Sequence, residues 1–411
     1  MTTLAAPGAW RADASTIGIV SIAHGASHFC QLIVPPLFPW LGAAFGLSNT
    51  QLGLLLSTYF VVSFGAQALA GFVVDRFGAE RVLYGGLALN ALAALGLALA
   101  PGYGAMFVFM ALAGLGNSVF HPVDFSILNA RVGAARLGHA YAAHGISGSL
   151  GWALAPVFVV GIASASGSWR TALAAAAAVV MAVLLLVWLQ RAHLTVQQTR
   201  RSAATASSGN GNDAVGLGFL KLPAVWACFA FFMVYSMALG GVQSFAPTAA
   251  AQLHGVPAAQ VAICLSVYMV CSGAGMVLGG HLVRDARRTV RIAVVGIAVA
   301  SLAAFAIGFG HWPAAAVPVL FGVMGFGAGI AGPSRDLLVK QATPPGATGR
   351  VYGVVYSGLD IGMTVAPLIF GVLMDAGNFR GVWAGIGLLL LVLIATAVNV
   401  RRNARPQPAA A

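Results

Sequence analysis

GLGNSVFHPVDFSILNARVGAARLGHAYAAHGISGSLGWALAP, residues 114–156, falls on GFGAGIAGPSRDLLVKQATPPGATGRVYGVVYSGLDIGMTVAP, residues 325–367, without a gap at a shift of 211 positions. Gly114 meets Gly325, Gly116 meets Gly327, Pro122 meets Pro333 and Gly138 meets Gly349. Tyr141 then meets Tyr352, Gly151 meets Gly362, and Ala155-Pro156 meets Ala366-Pro367. Further upstream a shift of 209 brings Leu56-Ser57, Tyr59 and Gly71 onto Leu265-Ser266, Tyr268 and Gly280. Glycines match easily by chance in such a composition; paired prolines and tyrosines do not. The chain contains a duplication, and the unit that was duplicated decides the fold.

That unit is apolar. Of 411 residues 59% are hydrophobic and only 7% charged, against roughly 25% charged in soluble domains. Apolar runs recur near the ~20 residues that cross a hydrocarbon core. They predict helices at about 17–44, 50–74, 80–100, 104–130, 137–163, 169–190, 222–250, 258–283, 289–310, 313–340, 349–374 and 380–401. Barrel strands would be shorter and would alternate in polarity, so the expected fold is an all-α membrane protein with twelve transmembrane helices in two pseudo-symmetric six-helix bundles. The bundles span 17–190 and 222–401, with terminal tails at 1–16 and 402–411. The polar, basic stretch 191–221 between them reads as a flexible linker.

The net charge of +12 is a matter of orientation. Arg170 and Arg380 fall in turns on one side and Arg335 within helix 10; the other Lys and Arg gather at the opposite helix ends or on the tails. This positive-inside bias predicts a bacterial-type inner membrane with both termini cytoplasmic. It makes the lipid bilayer the basic residues' partner and excludes nucleic acid. Cys30, Cys228, Cys264 and Cys271 lack metal-ligand spacing and read as buried small apolar residues. Trp40, Trp169, Trp188, Trp226, Trp312 and Trp383 sit near span ends, as an interfacial belt would. The first apolar segment is long enough to remain as helix 1 rather than a cleaved leader.

Against this background ionisable residues inside spans stand out, because each costs roughly 2.5–3.5 kcal/mol at the helix centre. His121 and Asp124 share one face of helix 4, with Pro122 between them freeing a carbonyl and kinking the helix. A kinked helix with locally satisfied polar groups would carry the same residues; the repeat favours a cavity lining, since Asp124 falls on Arg335 just past equivalent prolines. The expectation is an ion pair between the halves that closes the cytoplasmic gate. Asp336 adjoins Arg335 but points elsewhere. On helix 1, His24, His28 and Gln31 share a face, either as a hydrogen-bonded pair or as cavity lining. No third ligand follows at suitable spacing, so no metal is expected. Asp360, near the middle of helix 11, is the first candidate proton carrier and Asp124 the second.

The loop after helix 2 reads GFVVDRFGAER, with Gly71, Asp75, Arg76, Gly78 and Arg81. It resembles the helix 2–3 signature of the major facilitator superfamily, and the resemblance covers the whole twelve-helix pattern. HGASHFCQLIVPPLFPWL in helix 1 and GLGNSVFHP in helix 4 resemble the fosmidomycin-resistance type of transporter. Gly71 would let helix 2 pack closely, and the resemblance implies that the loop's charges latch the inner gate. Helices 5 and 11 share GxxxAP (Gly151 to Pro156, Gly362 to Pro367), which resembles a motif of drug–proton antiporters. The implied function is a secondary transporter working by alternating access, coupling efflux of a small organic solute to protons; the alternative is proton-coupled uptake of a small organic anion. No catalytic constellation or phosphate-cradling GxxxxGK[ST] is present, so neither an enzyme nor a cofactor is expected, and the working unit is expected to be a monomer.

Overall fold

Lipid supplies no hydrogen bonds, so every backbone N–H and C=O in a spanning segment must be satisfied within it. The computed structural model of the chain obeys that constraint. Residues 9–195, 223–282, 289–342 and 348–403 are described, and no strand occurs among them. The first six helices are α1 (Ala9–Gln31, resumed at Phe38–Phe45), α2 (Asn49–Phe77), α3 (Ala79–Leu99), α4 (Tyr103–Asn117 and Phe120–Arg131), α5 (Leu137–Ser166) and α6 (Trp169–Leu189). The second set is α7 (Pro223–Ser244 and Ala246–His254), α8 (Ala258–Leu282), α9 (Thr289–Phe309), α10 (Val317–Ala342), α11 (Thr348–Asp375) and α12 (Phe379–Asn403). Eleven stretches are long and apolar enough to span a membrane, and α2, bent by 57° between Asn49–Gln67 and Leu69–Phe77, makes the twelfth. Residues 196–222, most of the expected linker, lie outside the described residues.

The duplication reappears in how helices touch. A Cβ on Gly114 would meet the Tyr59 carbonyl of α2, and one on Gly325 the Tyr268 carbonyl of α8. Gly116 approaches the Gly86 carbonyl of α3 as Gly327 approaches the Gly296 carbonyl of α9. Gly151 lies against the Gly25 carbonyl of α1, while Gly362 lies against Met233 and Ser236 of α7. Small residues let backbones approach where lipid gives no hydrophobic drive for association. The two bundles are therefore built by the same glycine contacts, and the GxxxAP glycines join α5 to α1 and α11 to α7. Pro156 and Pro367 sit within their helices without interrupting them.

Two faces can be named by their chemistry. The basic face carries the start of α1 and the α2–α3 and α4–α5 turns; there the buried Asp13 pairs with Arg136 Nε at 2.6 Å and accepts from the Gly133 amide. On the far face Arg170 donates to the Ala98 and Ala100 carbonyls, which gives one of the two cations on that side a structural partner. Two tryptophans depart from the expected interfacial belt. Trp383 is fully buried, with its ring against Phe321 and its Cβ over Gly308, and Trp169 is buried beside Phe45. A glycine on the neighbouring helix opens room for the Trp383 ring, so position near a span end did not keep it at the surface.

The described contacts between the halves run from the far face to about the middle. Asp375, at the end of α11, accepts from the Asn49 and Thr50 amides at 2.6 and 2.9 Å and from the Asn49 Nδ2 and Thr50 hydroxyl at 3.0 and 2.6 Å. The carboxylate thus caps the N-terminus of α2, where exposed amides and the helix dipole favour an anion. Below it Gly53 abuts the Pro367 carbonyl, Gly371 abuts Thr50, and Ser57 donates to the Thr364 carbonyl at 2.6 Å. Across the other seam Ser266 of α8 donates to the Ala153 carbonyl of α5 at 2.6 Å. A cavity of about 400 Å³ remains between the halves near this face, bordered by Trp40, Pro156, Gln243, Thr248 and Leu265.

Asp375→Ala should release this face. Each lost hydrogen bond is worth about 0.5–1.5 kcal/mol net, so spin labels on the exposed Ala44 and Ala376 should report a broader, longer distance distribution than in the parent. An unchanged distribution would refute the latch.

Candidate functional site

Helices α1 and α4 sit between α2 and α5 in the first bundle, and α2 and α5 make the most extensive contacts with the second bundle. The faces of α1 and α4 therefore turn toward the space between the halves. Helix α4 breaks at Ser118–Val119 and restarts at Phe120, so Pro122 occupies the first turn of the new segment, where its missing N–H leaves no helical bond unmade. That restart aims His121 and Asp124 at α1 and α5. On α5 the residues facing α1 recur at helical spacing as His144, Gly148 and Gly151, the glycines making room for histidine rings and backbone.

The result is a cluster of four imidazoles and one carboxylate, buried at Asp124, His24 and His144 and open at His121. Asp124 is fully buried; its Oδ2 lies 3.0 Å from His144 Nε2 in a hydrogen bond and 3.0 Å from His24 Nδ1, the latter outside hydrogen-bond geometry. The His24 ring stacks on His144 at 3.5 Å between centroids, with His28 at 4.4 Å and His121 at 5.2 Å from it. His121 is exposed and stands 5.9 Å from His144. Trp152 lies 4.3 Å from His28 and donates its indole N–H to Gln31 Oε1 at 2.9 Å. Asp124 Oδ1, His24 Nδ1 and His28 Nδ1 are buried with no hydrogen-bond partner. A carboxylate costs too much in such a place unless something offsets its charge or a proton neutralises it; here imidazoles stand ready to do either.

The structure brings together five residues singled out from the sequence: His24, His28, Gln31, His121 and Asp124. His144 was missed. It lay inside the repeat, but its counterpart at the 211 shift is Val355, so the duplication concealed it; its spacing to Gly148 and Gly151 was the available signal. In this conformation Asp124 is held within its own half, by α1 and α5. The side chains of Pro333, Arg335 and Asp336 lie outside the described residues, so the ion pair expected across the halves has no described partner. Asp360 stands apart on α11, half-buried, with its carbonyl accepting from Thr364 Oγ1 at 2.7 Å.

The gate residues also sort themselves. Gly78 has φ +86°, a left-handed value that suits glycine where α2 turns into α3. Asp75, Arg76 and Arg81 are exposed, with Arg76 over the Phe77 ring. Gly71 corrects an expectation: it is exposed, and a Cβ there would meet nothing within 4 Å. Its neighbours Ala70 and Val74 are buried while Gly71 faces outward, so Gly71 mediates no close packing here.

Comparison with known proteins matches the Major Facilitator Superfamily profile to residues 20–353 and 316–411. The chain belongs to the Major Facilitator Superfamily. It is 26% identical over 379 residues, 90% of this chain and 89% of the relative, to the uncharacterized MFS-type transporter YfnC of Bacillus subtilis. It is 24% identical to the fosmidomycin resistance protein of Escherichia coli, covering 89% of this chain and 87% of that one. A shorter match, 28% identical over 155 residues, spans 38% of this chain and 28% of a multidrug resistance protein B homolog of Mycobacterium tuberculosis. In fold it resembles a solved bacterial homolog of the human lysosomal transporter Spinster, with TM-score 0.78 and 15% identity over 97% of this chain and 99% of that one. The nucleoside transporter NupG follows at TM-score 0.75 and 16% identity, over 95% and 99% of the two chains. This chain is thus a multi-pass superfamily transporter whose polar cluster lies in the first bundle.

For this superfamily member, Asp124→Ala should cost about 1–3 kcal/mol in SDS-titrated unfolding from mixed micelles, because it strands the His144 Nε2 group. Asp124→Asn should cost less, since its carbonyl oxygen still accepts. Equal stability of the Ala variant and the parent would show that the buried bond contributes nothing.

Proposed function

We propose that this transporter exports a small organic compound across the cytoplasmic membrane in exchange for protons, acting as a monomer and alternating access to one pathway between its halves. The observation that carries this reading is the setting of Asp124. It is fully buried and 3.0 Å from both His24 and His144, with the exposed His121 one turn away. The relay is geometric: a proton arriving from the space between the halves meets the exposed His121 first, and the stacked His24–His144 pair joins it to the carboxylate. The geometry favours Asp124 over Asp360 as the principal carrier, because Asp124 has a relay beside it.

Orientation follows from charge: the basic face is the cytoplasmic one. Asp375, Gly53 and Ser57 join the halves at the far face, which supports a conformation held together on that side. Efflux is supported by the curated relatives named for fosmidomycin and multidrug resistance. A second reading, uptake of an organic anion, is favoured by the imidazole donors gathered beside a single carboxylate and by Arg335 on the opposite bundle.

Reconstituted liposomes decide between these. With pH gradients of either sign and a panel of small phosphonates, organic acids and drugs, accumulation should follow the gradient in the antiport direction. Asp124→Asn should reduce gradient-driven transport to the level of empty liposomes while retaining exchange of labelled compound; Asp360→Asn should impair it less. Full proton-driven rates in Asp124→Asn would defeat the assignment, and symport polarity would select uptake.

A further inference from the structure

The cluster around Asp124 has a second chemistry that proton exchange does not require. One nitrogen each from His24, His121 and His144 lies within 4.8 Å of the others. These nitrogens come from three helices, α1, α4 and α5, which converge through the glycine contacts described above, so the donors are gathered before any ligand arrives. Two buried donors lack hydrogen-bond partners, His24 Nδ1 and Asp124 Oδ1. Leaving such atoms unsatisfied is costly, and an ion would satisfy both.

We propose that His24, His121, His144 and Asp124 form a binding site for a divalent transition-metal ion of the Zn²⁺ or Co²⁺ kind. Imidazole nitrogen with one carboxylate suits these borderline ions, whereas Mg²⁺ and Ca²⁺ demand shells of oxygen. Bonds of about 2.0–2.1 Å to a tetrahedral ion set its donors roughly 3.3 Å apart, so the three nitrogens must close in by about an ångström or more. Rotation of the imidazoles supplies that without moving a backbone. Asp124 serves as a ligand: its Oδ1 has no hydrogen-bond partner and is free to bind, and its charge offsets one unit of the ion's, while the His144 ring trades its hydrogen bond to Oδ2 for the ion. The exposed His121 provides the entry path, and Trp152 with Gln31 backs the neighbouring His28 on the opposite side.

The test uses the full-length protein in detergent with any histidine tag removed, titrated with Co²⁺ and followed by its d–d absorption. One Co²⁺ per chain with the intense spectrum of a tetrahedral site, displaced by Zn²⁺ and untouched by Mg²⁺, is the expected result. His24→Ala, His121→Ala and His144→Ala should each weaken binding by roughly tenfold or more, while His139→Ala and His311→Ala, at exposed positions away from the cluster, should leave it unchanged. Zn²⁺ should also raise the melting temperature of the parent and not that of His121→Ala. Because His121 is exposed, its variant keeps the test valid even where His24→Ala or His144→Ala fails to fold. A weak six-coordinate spectrum, or stoichiometric binding unaffected by His121→Ala, overturns the site. None of these readouts depends on transport, so failure of the proton reading would leave the metal result standing, and the reverse.

Discussion

Close approach of backbones is the constraint on which this structure rests. Lipid tails are as apolar as leucine, so burying leucine against leucine does little to hold two spanning helices together; dispersion at short range and occasional polar contacts must do it. Glycine controls how near two helices come. Gly114 and Gly116 set α4 against α2 and α3, Gly325 and Gly327 set α10 against α8 and α9, and Gly151 and Gly362 repeat the arrangement for the helix pairs that carry GxxxAP. A side chain at any of these places would drive a methyl into a neighbouring carbonyl. Everything else, the aim of α4 after its break and the room for imidazole rings beside Gly148, presupposes those distances.

On that symmetric frame the chemistry is lopsided. At the 211 shift His24 corresponds to Tyr235, His28 to Leu239, His121 to Gly332, Asp124 to Arg335 and His144 to Val355. The frame has kept its packing glycines while these five positions have diverged. Packing explains the difference. A glycine contact is shared by two helices and tolerates no volume, whereas a side chain facing the space between the halves answers only to what passes there. Concentrating the imidazoles in one bundle leaves the other free to present different surfaces.

Much of the fold was legible because the bilayer enforces it. Twelve apolar runs, a period of 211 and a one-sided distribution of arginine each reflect a coarse physical demand, and each is visible without coordinates. The site was legible only in part. His121, Asp124, His24 and His28 announce themselves as polar residues in apolar helices, but sequence spacing relates residues on one helix and is silent about three helices meeting. That is why His144, opposite a valine in the repeat, passed unnoticed. Gly71 failed in the other direction. Its motif invites close packing, yet it faces outward. Trp383 shows the same limit, since a tryptophan near a span end is drawn inside by the vacancy over Gly308.

The two kinds of polar contact differ in where they sit, and that difference fits a molecule that must open and close. Asp375 binds the start of α2 at an exposed edge, where water competes for each donor and the net gain per bond is small. Such a latch holds a closed face yet releases it for a few kcal/mol. The Ser57 and Gly53 contacts beneath it join carbonyls to small groups, and neither leaves a charge stranded when they part. Asp124, by contrast, bonds within a single bundle, among helices fixed to one another by glycine. Separation of the halves need not break it, so in the proposed cycle the buried carboxylate keeps its imidazole partners. Rupture of an ion pair in low dielectric, which would cost far more than the latch, is thereby kept off the path of the conformational change.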